Sequence, residues 1–403
     1  MENNEKLKQL LVIGNGFDLA CGLKSSYKDF LDSISNKEYE NNFWYYIFYR
    51  LENSGLNHSN NWADIELQIL KQLKNLEILY KDNFIHTIYK NTDTIEYISI
   101  NKEKLKEEND IIEFDSNSLE ITYSGIKATK DSHIDIPKTI EEAQTYLLQH
   151  LRVVETDFCN FLSNQINEER NKEFYSPIPN KSDDINHNNY YVRSIKLLNH
   201  ILKLYYSETT ESVIDSESNR TKKGKFANSN GILSFNYTLP VLSFNWVNIH
   251  GSLECKNIIF GINYDSLNSY FKNPPIQYSK SYRILENSIL SNIRLSKDIK
   301  NILFYGHGLG EADYPYFQSI FDSIDLYHCN TRLIFFWDAY DENRKLELHQ
   351  EILNKVVNLI ERYGKTFSNK DHGRNLLTKL KIENRILIKE ICPKKIFEKN
   401  IQQ

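Results

Sequence analysis

The sequence predicts an α/β fold in which a mostly parallel β-sheet is interrupted by a large helical insertion. Short apolar runs bounded by glycine or polar residues indicate buried strands, and they lie at residues 10–13, 231–235, 246–249, 258–260, 302–305 and 333–337. Helical patterns separate several of these runs, notably at residues 312–326 and 345–362. Alternation of strands with helices favours a parallel sheet.

The length of 403 residues exceeds what one hydrophobic core usually holds, which predicts two domains or one domain with an insertion. The first strand stands alone near the N-terminus, and the remaining strand patterns begin only after about residue 225. We therefore expect residues 1–45 and 225–403 to form the sheet domain. Residues 46–224 are expected to form a mainly helical insertion that covers the ligand-binding edge of the sheet.

Several helices of the insertion are predicted from apolar spacing and from capping pairs. Ser26 with Asp29, and Thr139 with Glu142, match the capping-box pattern that opens a helix. Apolar residues recur at helical spacing from Trp62 to about Tyr89, and the sequence predicts another helix at about residues 191–206. A buried helix face is predicted after Thr139, formed by Leu147, Leu151, Val154, Phe158 and Leu162. Residues 207–229 read as a mobile loop, and residues 91–138 show no clear pattern.

Composition excludes several functional classes. The net charge of −5 and the pI of about 6.2 disfavour general nucleic-acid binding. The five cysteines are far apart without a Cys-x-x-Cys pair, which fits reduced cytosolic thiols and disfavours a zinc ribbon. No apolar stretch approaches 18 residues, and the N-terminal apolar run is too short for a signal peptide. We expect a cytoplasmic protein without a membrane partner.

The segment Gly14-Asn15-Gly16 follows the first predicted strand. Glycines there permit positive φ and let a phosphate approach the backbone amides, and ligands of open α/β sheets collect at the carboxyl ends of strands. The loop therefore predicts nucleotide binding on a Rossmann-like sheet, with a tight turn that binds nothing as the alternative. The dehydrogenase motif is absent because no third glycine opens a helix directly, and no Walker motif occurs.

Other polar residues also follow predicted strands. Asn236 either faces a ligand or caps the next helix, and His250 is either a catalyst or a hydrogen-bonded structural residue. Gly306, His307 and Gly308 open a second glycine loop, typical of an anion or ribose site, and Gly308 stands where a hydrolase elbow would need serine. Asp313 is expected to cap the following helix. Because these loops all follow strands, they can share one edge of one sheet.

The acidic pair near Trp62 is predicted to be structural. On one helix, Trp62 and Glu66 share a face at i, i+4, whereas Asp64 points elsewhere, so a catalytic carboxylate pair is disfavoured. We expect Trp62 to pack and the acids to lie at the solvent or at the rim of the site.

In their order, the motifs around residues 14–18, 62–66, 235–238, 249–251 and 306–313 resemble those of the bacteriophage abortive-infection AbiH family. The resemblance covers the chain from its first strand to about residue 340. It implies a role in antiphage defence, together with a phage-derived trigger or a partner defence protein and a homo-oligomer as partners to be tested.

AbiH proteins are in turn distantly similar to sirtuin-like NAD-binding domains, and this similarity implies a sirtuin-like fold. Carried over residue by residue, it implies catalytic roles for Asn236 and His250. Nucleotide contacts are implied for Gly14, Asn15, Gly16, Phe17, Asp18, Thr238, Gly306, His307, Gly308 and Asp313. Thr238 departs from the sirtuin pattern, which has an acid there, Asp18 replaces a serine, and no zinc module is present.

The resemblance implies that the chain hydrolyses NAD to nicotinamide and ADP-ribose, with NAD as substrate and with no metal or further cofactor required. The alternative is a nucleotide-binding sensor or scaffold without catalysis. A phosphate-ester or nucleic-acid hydrolase ranks last, because the sequence has no clustered Asp, Glu and His with metal spacing.

Overall fold

The computed structural model describes residues 7–34, 41–53, 64–80, 116–129, 137–174, 190–205, 214–215, 220–221, 229–240, 245–287 and 293–398. The chain forms two compact units. The sheet unit comprises residues 1–26, 160–258 and 284–403, and the helical unit comprises residues 27–159 and 259–283. These boundaries do not coincide with the expected limits of the insertion at residues 46 and 224.

The sheet unit is built on six parallel strands in the order β5-β4-β1-β6-β7-β8. The strands are β1 Gln9–Ile13, β4 Asn230–Ser234, β5 Trp246–Asn248, β6 Asn301–Tyr305, β7 Arg332–Trp337 and β8 Ile386–Glu390, and a separate antiparallel pair joins β2 Ile214–Asp215 to β3 Arg220–Thr221. The first strand of the chain thus lies inside the sheet, between β4 and β6. The α/β class and the parallel sheet predicted from the sequence are confirmed.

Both faces of the central strand are buried, which explains its unbroken apolar sequence. Leu10 and Val12 point into the main core together with Phe304 and Phe335, whose rings stack at 4.4 Å between centroids. Three helices supply the other side of this core, Tyr314–Ile324, Lys345–Gly364 and Lys370–Ile382. At the start of the strand, Gln9 donates a hydrogen bond to the carbonyl of Leu202.

The remaining helices of the sheet unit are Asn15–Ala20, Tyr190–Lys203 and Pro393–Glu398. Helix Tyr190–Lys203 matches the prediction for residues 191–206. The segment predicted as a mobile loop, 207–229, contains the short β2–β3 pair among its described residues. The β8 strand and the helix Lys370–Ile382 were not predicted.

The apolar run at residues 258–260 is not a strand, contrary to the sequence prediction. Its residues are buried, but the backbone N–H of Phe260 donates to the carboxylate of Glu155 at 2.6 Å instead of to a neighbouring strand. The apolar sequence of residues 258–260 correctly predicted that they are buried, but it wrongly predicted that they pair as a β-strand.

The helical unit contains the helices Tyr27–Leu31, Phe43–Asn53, Ile65–Tyr80, Ser116–Ala128, Tyr264–Tyr270 and Lys280–Glu286, together with the first part of Ile140–Phe174. The predicted capping box at Thr139 is present, since Thr139 Oγ1 accepts from the N–H of Glu142 and the Glu142 carboxylate accepts from the N–H of Lys138. The predicted apolar face of this helix is fully buried. The helix predicted from residue 62 begins at Ile65 and ends at Tyr80, and residues 81–89 lie outside the described part of the chain.

A buried ion pair lies inside the helical unit. Arg283 Nη2 is 2.7 Å from Glu155 Oε2, and both side chains are almost completely buried. Burial raises the pKa of Glu155, and the charge of Arg283 opposes that rise. Removing one partner would leave the other charge uncompensated in a medium of low dielectric constant.

No helix within the described residues is long and apolar enough to cross a membrane.

Replacing Arg283 by Met is expected to destabilise the helical unit by about 3–5 kcal/mol, because Glu155 remains buried without its counter-charge. Urea unfolding followed by circular dichroism measures this loss. Lys28→Ala is the matched control, since its ion pair with Asp32 is exposed and contributes less than about 1 kcal/mol. Equal losses in the two variants would contradict this account of the buried pair.

Candidate functional site

Four neighbouring strands, β5, β4, β1 and β6, end in register at their carboxyl ends. Ile13 is in register with Ser234 on one side and with Tyr305 on the other, and Ser234 is in register with Asn248. The segments that follow these residues carry Gly14, Asn236, His250 and Gly306. The parallel sheet therefore brings the sequence-predicted site residues to one edge, as is common for binding sites of open α/β sheets.

The two glycine loops pack directly against each other. A Cβ on Gly306 would lie 2.3 Å from the backbone nitrogen of Phe17, and Gly306 has a φ of +68°. A Cβ on Gly14 would lie 2.6 Å from the Cα of His307, and one on Gly16 would lie 2.8 Å from the Cα of Gly306. The glycines are needed here for close contact between two backbones.

Hydrogen bonds within the protein occupy the loop amides that the sequence assigned to phosphate binding. The N–H of Gly14 donates to the carbonyl of Tyr305 at 3.1 Å, and that of Gly16 donates to Gly306 at 2.8 Å. The N–H of Phe17 donates to the carbonyl of Gly14. Asn15 is exposed, and its side-chain oxygen accepts from the hydroxyl of Ser25. Gly14 and Gly16 thus join strand ends, and their amides are not available to a phosphate in this conformation.

Asp18 is fully buried in the short helix after β1. Its carboxylate accepts hydrogen bonds from the hydroxyl of Tyr190 at 2.8 Å and from that of Thr238 at 2.9 Å. Burial raises the pKa of Asp18 to about 6, and the two hydroxyl donors oppose the rise. The structure therefore brings together two of the predicted nucleotide contacts, Asp18 and Thr238, which lie 220 positions apart.

Asn236 lies beside this carboxyl group. Its amide is close enough to oppose the rise in the pKa of Asp18, yet neither its Nδ2 nor its Oδ1 makes a hydrogen bond within the described residues. Asn236 is only 4% exposed. A buried amide without hydrogen bonds costs several kcal/mol, about 1–3 for each group. Residues 237–240 directly after Asn236 are not helical, so Asn236 caps no helix within the described residues.

Asp313 connects the two histidines of the edge. His307 Nε2 lies 3.3 Å from Asp313 Oδ2, and His250 Nε2 lies 3.7 Å from Asp313 Oδ1. The backbone N–H of Leu309 donates to His307 Nδ1, so neutral His307 carries its proton on Nε2, which faces the carboxylate. Asp313 stands at the start of helix Tyr314–Ile324, but its side chain makes no capping hydrogen bond, and the predicted cap is therefore wrong.

Aromatic rings surround the two imidazoles. Phe235 lies 4.2 Å from His307 and 5.5 Å from His250, measured between ring centroids, and Tyr316 lies 5.6 Å from His250. Apolar walls lower the local dielectric constant and strengthen the interaction of each imidazole with Asp313. Sequence reasoning missed Tyr316, which sits on the helix that begins just after Asp313.

The tip of the second glycine loop is open. A Cβ on Gly308 or Gly310 would meet no atom within 4 Å, and Leu309 between them has a φ of +52°. Gly308 and Gly310 therefore have open space around their backbones, whereas Gly306 is packed against the first glycine loop.

Tyr305 and Asp338 also lie at the edge, and neither was predicted as a site residue. Asp338 follows β7, and the hydroxyl of Tyr305 donates to its carboxylate at 2.8 Å. Burial raises the pKa of Asp338. A carboxylate at the end of a strand was a signal present in the sequence, since Asp338 follows the predicted run 333–337 directly.

The acids near Trp62 belong to the helical unit. Asp64 caps helix Ile65–Tyr80, with its Oδ1 accepting from the N–H of Leu67. Glu66 is partly exposed, and its carboxylate lies 2.8 Å from the ammonium of the buried Lys280. Trp62 lies outside the described residues. Among the residues that are described, no group of three or more His, Cys, Asp or Glu is placed to hold a metal ion.

The fold and the edge together define an α/β protein with buried polar side chains gathered where parallel strands end. A model of the family described as bacteriophage abortive infection AbiH matches residues 10–337. The chain belongs to this family, and that membership assigns it to abortive-infection defence against phage. No curated protein and no solved structure matches the chain. The sirtuin-like resemblance therefore stays a prediction.

Gly306→Ala is expected to destabilise the sheet unit by about 2 kcal/mol or more, because a Cβ there is strained at positive φ and meets the Phe17 backbone. Gly308→Ala, two residues along the same loop, should change stability by less than about 0.5 kcal/mol. Thermal unfolding of the two variants measures the difference. A neutral Gly306→Ala would show that the loops can separate without cost.

The pH dependence of stability is expected to report on Asp18. Because burial raises its pKa from 3.8 to about 6, folding favours the protonated carboxyl, and this contribution is complete below pH 3.8. It is lost as the pH rises through 6, by on the order of 3 kcal/mol for a difference of about two pKa units. Asp18→Asn should lack this slope in urea unfolding between pH 4 and 7. Parallel pH profiles for the two proteins would contradict the assignment.

Proposed function

We propose that the chain binds NAD or a closely related nucleotide at the carboxyl edge of the sheet and hydrolyses it to nicotinamide and ADP-ribose. The observation that carries this proposal is the Asn236 side chain, which is buried at that edge with both polar atoms lacking a hydrogen bond among the described residues. A ribose hydroxyl or a carboxamide supplies both a donor and an acceptor, which this amide needs.

The order of the strands supports a Rossmann-like assignment. Counted along the chain, the six strands of the sheet lie in the order 3-2-1-4-5-6, which is that of the dinucleotide-binding fold. The order reverses between β1 and β6, where ligands of such sheets bind. The segments after these two strands are the two glycine loops.

The pair formed by Asp18 and Thr238 supports the comparison with sirtuin-like sites. The sirtuin pattern has an acid at the position of Thr238. Here the hydroxyl of Thr238 donates to the carboxylate of Asp18, so a carboxyl group is present beside that position. We propose that Asp18 orients the carboxamide or ribose of the ligand through Asn236 and Thr238.

We propose that the phosphates contact the second glycine loop, and not the first loop that the sequence indicated. Gly14 and Gly16 donate their amides to the β6 side of the sheet, whereas Gly308 and Gly310 have open space around their backbones. A pyrophosphate approaches a backbone closely only where no side chain intervenes, which favours the tip of this second loop.

In the proposed reaction, a water oxygen bonds to the ribose C1′ while the bond from C1′ to the nicotinamide nitrogen breaks. The electron pair of that bond leaves with nicotinamide, which departs as a neutral base. His250 accepts the proton released by water, and Asp313 stabilises the resulting imidazolium. Asn236 positions the water or the ribose. The distance of 3.7 Å between His250 and Asp313 exceeds a hydrogen bond, and such contacts commonly tighten when substrate is bound.

His250→Ala is expected to lower the rate of nicotinamide release from NAD by about 100- to 10,000-fold, the usual contribution of a general base. Asn236→Ala should lower it comparably. Purified protein incubated with NAD, with nicotinamide and ADP-ribose separated by chromatography, measures this rate. His372→Ala and Asn358→Ala are the matched controls. His372 lies on helix Lys370–Ile382 and Asn358 on helix Lys345–Gly364, and both are outside the proposed site.

Urea unfolding of the same variants separates catalysis from folding. A loss of stability that accounts for the loss of activity would leave His250 with a structural role. If wild-type protein released no nicotinamide, even when isolated from phage-infected cells, the hydrolase proposal would be wrong.

A non-catalytic sensor is the second candidate, and one observation favours it. Both Asn236 polar atoms are closed off from solvent, and the Gly14 and Gly16 amides are occupied, so a ligand reaches the edge only after a local rearrangement. Binding that requires a rearrangement suits a switch. Equilibrium binding of NAD without any turnover, abolished in Asn236→Ala, would support the sensor.

A further inference from the structure

A separate cavity of about 600 Å³ lies at the opposite, amino edge of the sheet. Its walls are formed where the chain enters β1, β6 and β7, with contributions from the segments 297–300 and 325–332. Lys8 precedes β1, Lys300 precedes β6, and Arg332 begins β7. Candidate site residues at the carboxyl edge contribute nothing to it.

The lining of this cavity carries an excess of positive charge. Lys8, Lys297, Lys300 and Arg332 face two acids, Asp298 and Asp325. Asp325 already pairs with Lys297 at 2.6 Å and with His328 at 2.9 Å. These two partners hold the pKa of Asp325 below its usual range.

Lys8 and Lys300 are adjacent and form no ion pair in the part of the chain that the structure describes. They precede the registered pair Gln9 and Asn301 on neighbouring strands, and the N–H of Lys300 donates to the carbonyl of Lys8 at 2.7 Å. Neighbouring strands are about 4.8 Å apart, and like charges opposite each other destabilise a sheet. An anion bound between the two amines would remove this repulsion.

The backbone N–H groups of Lys300 and Arg332 are occupied and are not donors for such an anion. The N–H groups of Lys300 and Arg332 donate to carbonyls of the preceding strand entries, and Arg332 Nε donates to Asn301 Oδ1. The guanidinium of Arg332 also stacks on the ring of Tyr205 at 5.4 Å, which fixes its position. The two lysines are therefore the flexible donors of the cavity, and Arg332 is a fixed positive charge.

We propose that this cavity is a second ligand site, which binds a small phosphate-bearing anion of at least two negative charges through Lys8 and Lys300. The volume is that of a typical small-molecule site, large enough for a nucleoside phosphate. Lysine ammonium groups bind phosphate as compact point charges with three donors each. The site is independent of the proposed NAD hydrolysis, since it shares no residue with the carboxyl edge.

Titration of the full chain with inorganic triphosphate in a calorimeter tests the proposal. Wild-type protein is expected to bind one triphosphate with an affinity that falls as salt is added, because the contacts are partly exposed and screened. Lys8→Gln and Lys300→Gln should each weaken binding about tenfold, equivalent to ~1.4 kcal/mol. Lys355→Gln, at an exposed position of helix Lys345–Gly364, is the matched control and should bind like wild type.

Three results would overturn the proposal. The first is that millimolar triphosphate at low salt produces no heat of binding. The second is that wild type and both variants bind triphosphate equally. The third is that the protein binds single-stranded DNA that triphosphate does not displace. Lys300 is exposed, so Lys300→Gln keeps the test valid even where Lys8→Gln disturbs the fold. Nicotinamide release by wild-type protein is measured separately, so failure of one proposal leaves the other standing.

Discussion

The contact between the two glycine loops is the constraint on which the arrangement of the site depends. Gly306 and Gly16 meet backbone to backbone, which fixes the carboxyl end of β1 against that of β6. Asp18 lies two residues beyond Gly16, and His307 follows Gly306. The backbone contact between the two loops therefore determines where the side chains of Asp18 and His307 lie at the edge. There is no room for a methyl group on Gly16 or Gly306 at this contact.

Two of the carboxylates at the edge, Asp18 and Asp313, lie in different chemical surroundings. Asp18 accepts from two hydroxyl groups, which are neutral donors, and burial raises its pKa. Asp313 faces two imidazoles, which can carry a positive charge, and it remains partly exposed. Burial among neutral donors disfavours the charged form of Asp18. The two carboxyl groups therefore differ in their partners, hydroxyl groups for Asp18 and imidazoles for Asp313.

The sequence predicted the strands that are buried on both faces and failed where an apolar run did not lead to pairing. Five predicted strands are present, but residues 258–260 are buried outside the sheet, and the N–H of Phe260 donates to Glu155. The edge strand β8 is half-exposed, so its apolar signal is short. Among the helices, the capping box at Thr139 succeeded because its hydrogen bonds are local.

The site could be predicted only as a set of strand ends. Glycine suits both a phosphate and a neighbouring backbone, so the sequence could not distinguish the role of Gly308 from that of Gly306. Asp313 stood where a helix cap is common, and no local pattern indicated that His250, from a distant strand, would be its partner. Tyr190 meets Asp18 across 172 positions, a distance over which a single sequence carries no pairing information.

The central place of β1 has a consequence for how the chain is made. This strand is synthesised before the other strands of its sheet, yet its two partners begin 221 and 292 positions later, as the contacts of Gln9 with Asn230 and Asn301 show. Pairing at such separation requires closure of very long loops, which slows folding. Until most of the protein has been synthesised, an apolar segment with two unpaired edges stays exposed. One edge of β1 can pair only after β4 has been synthesised, and the other only after β6.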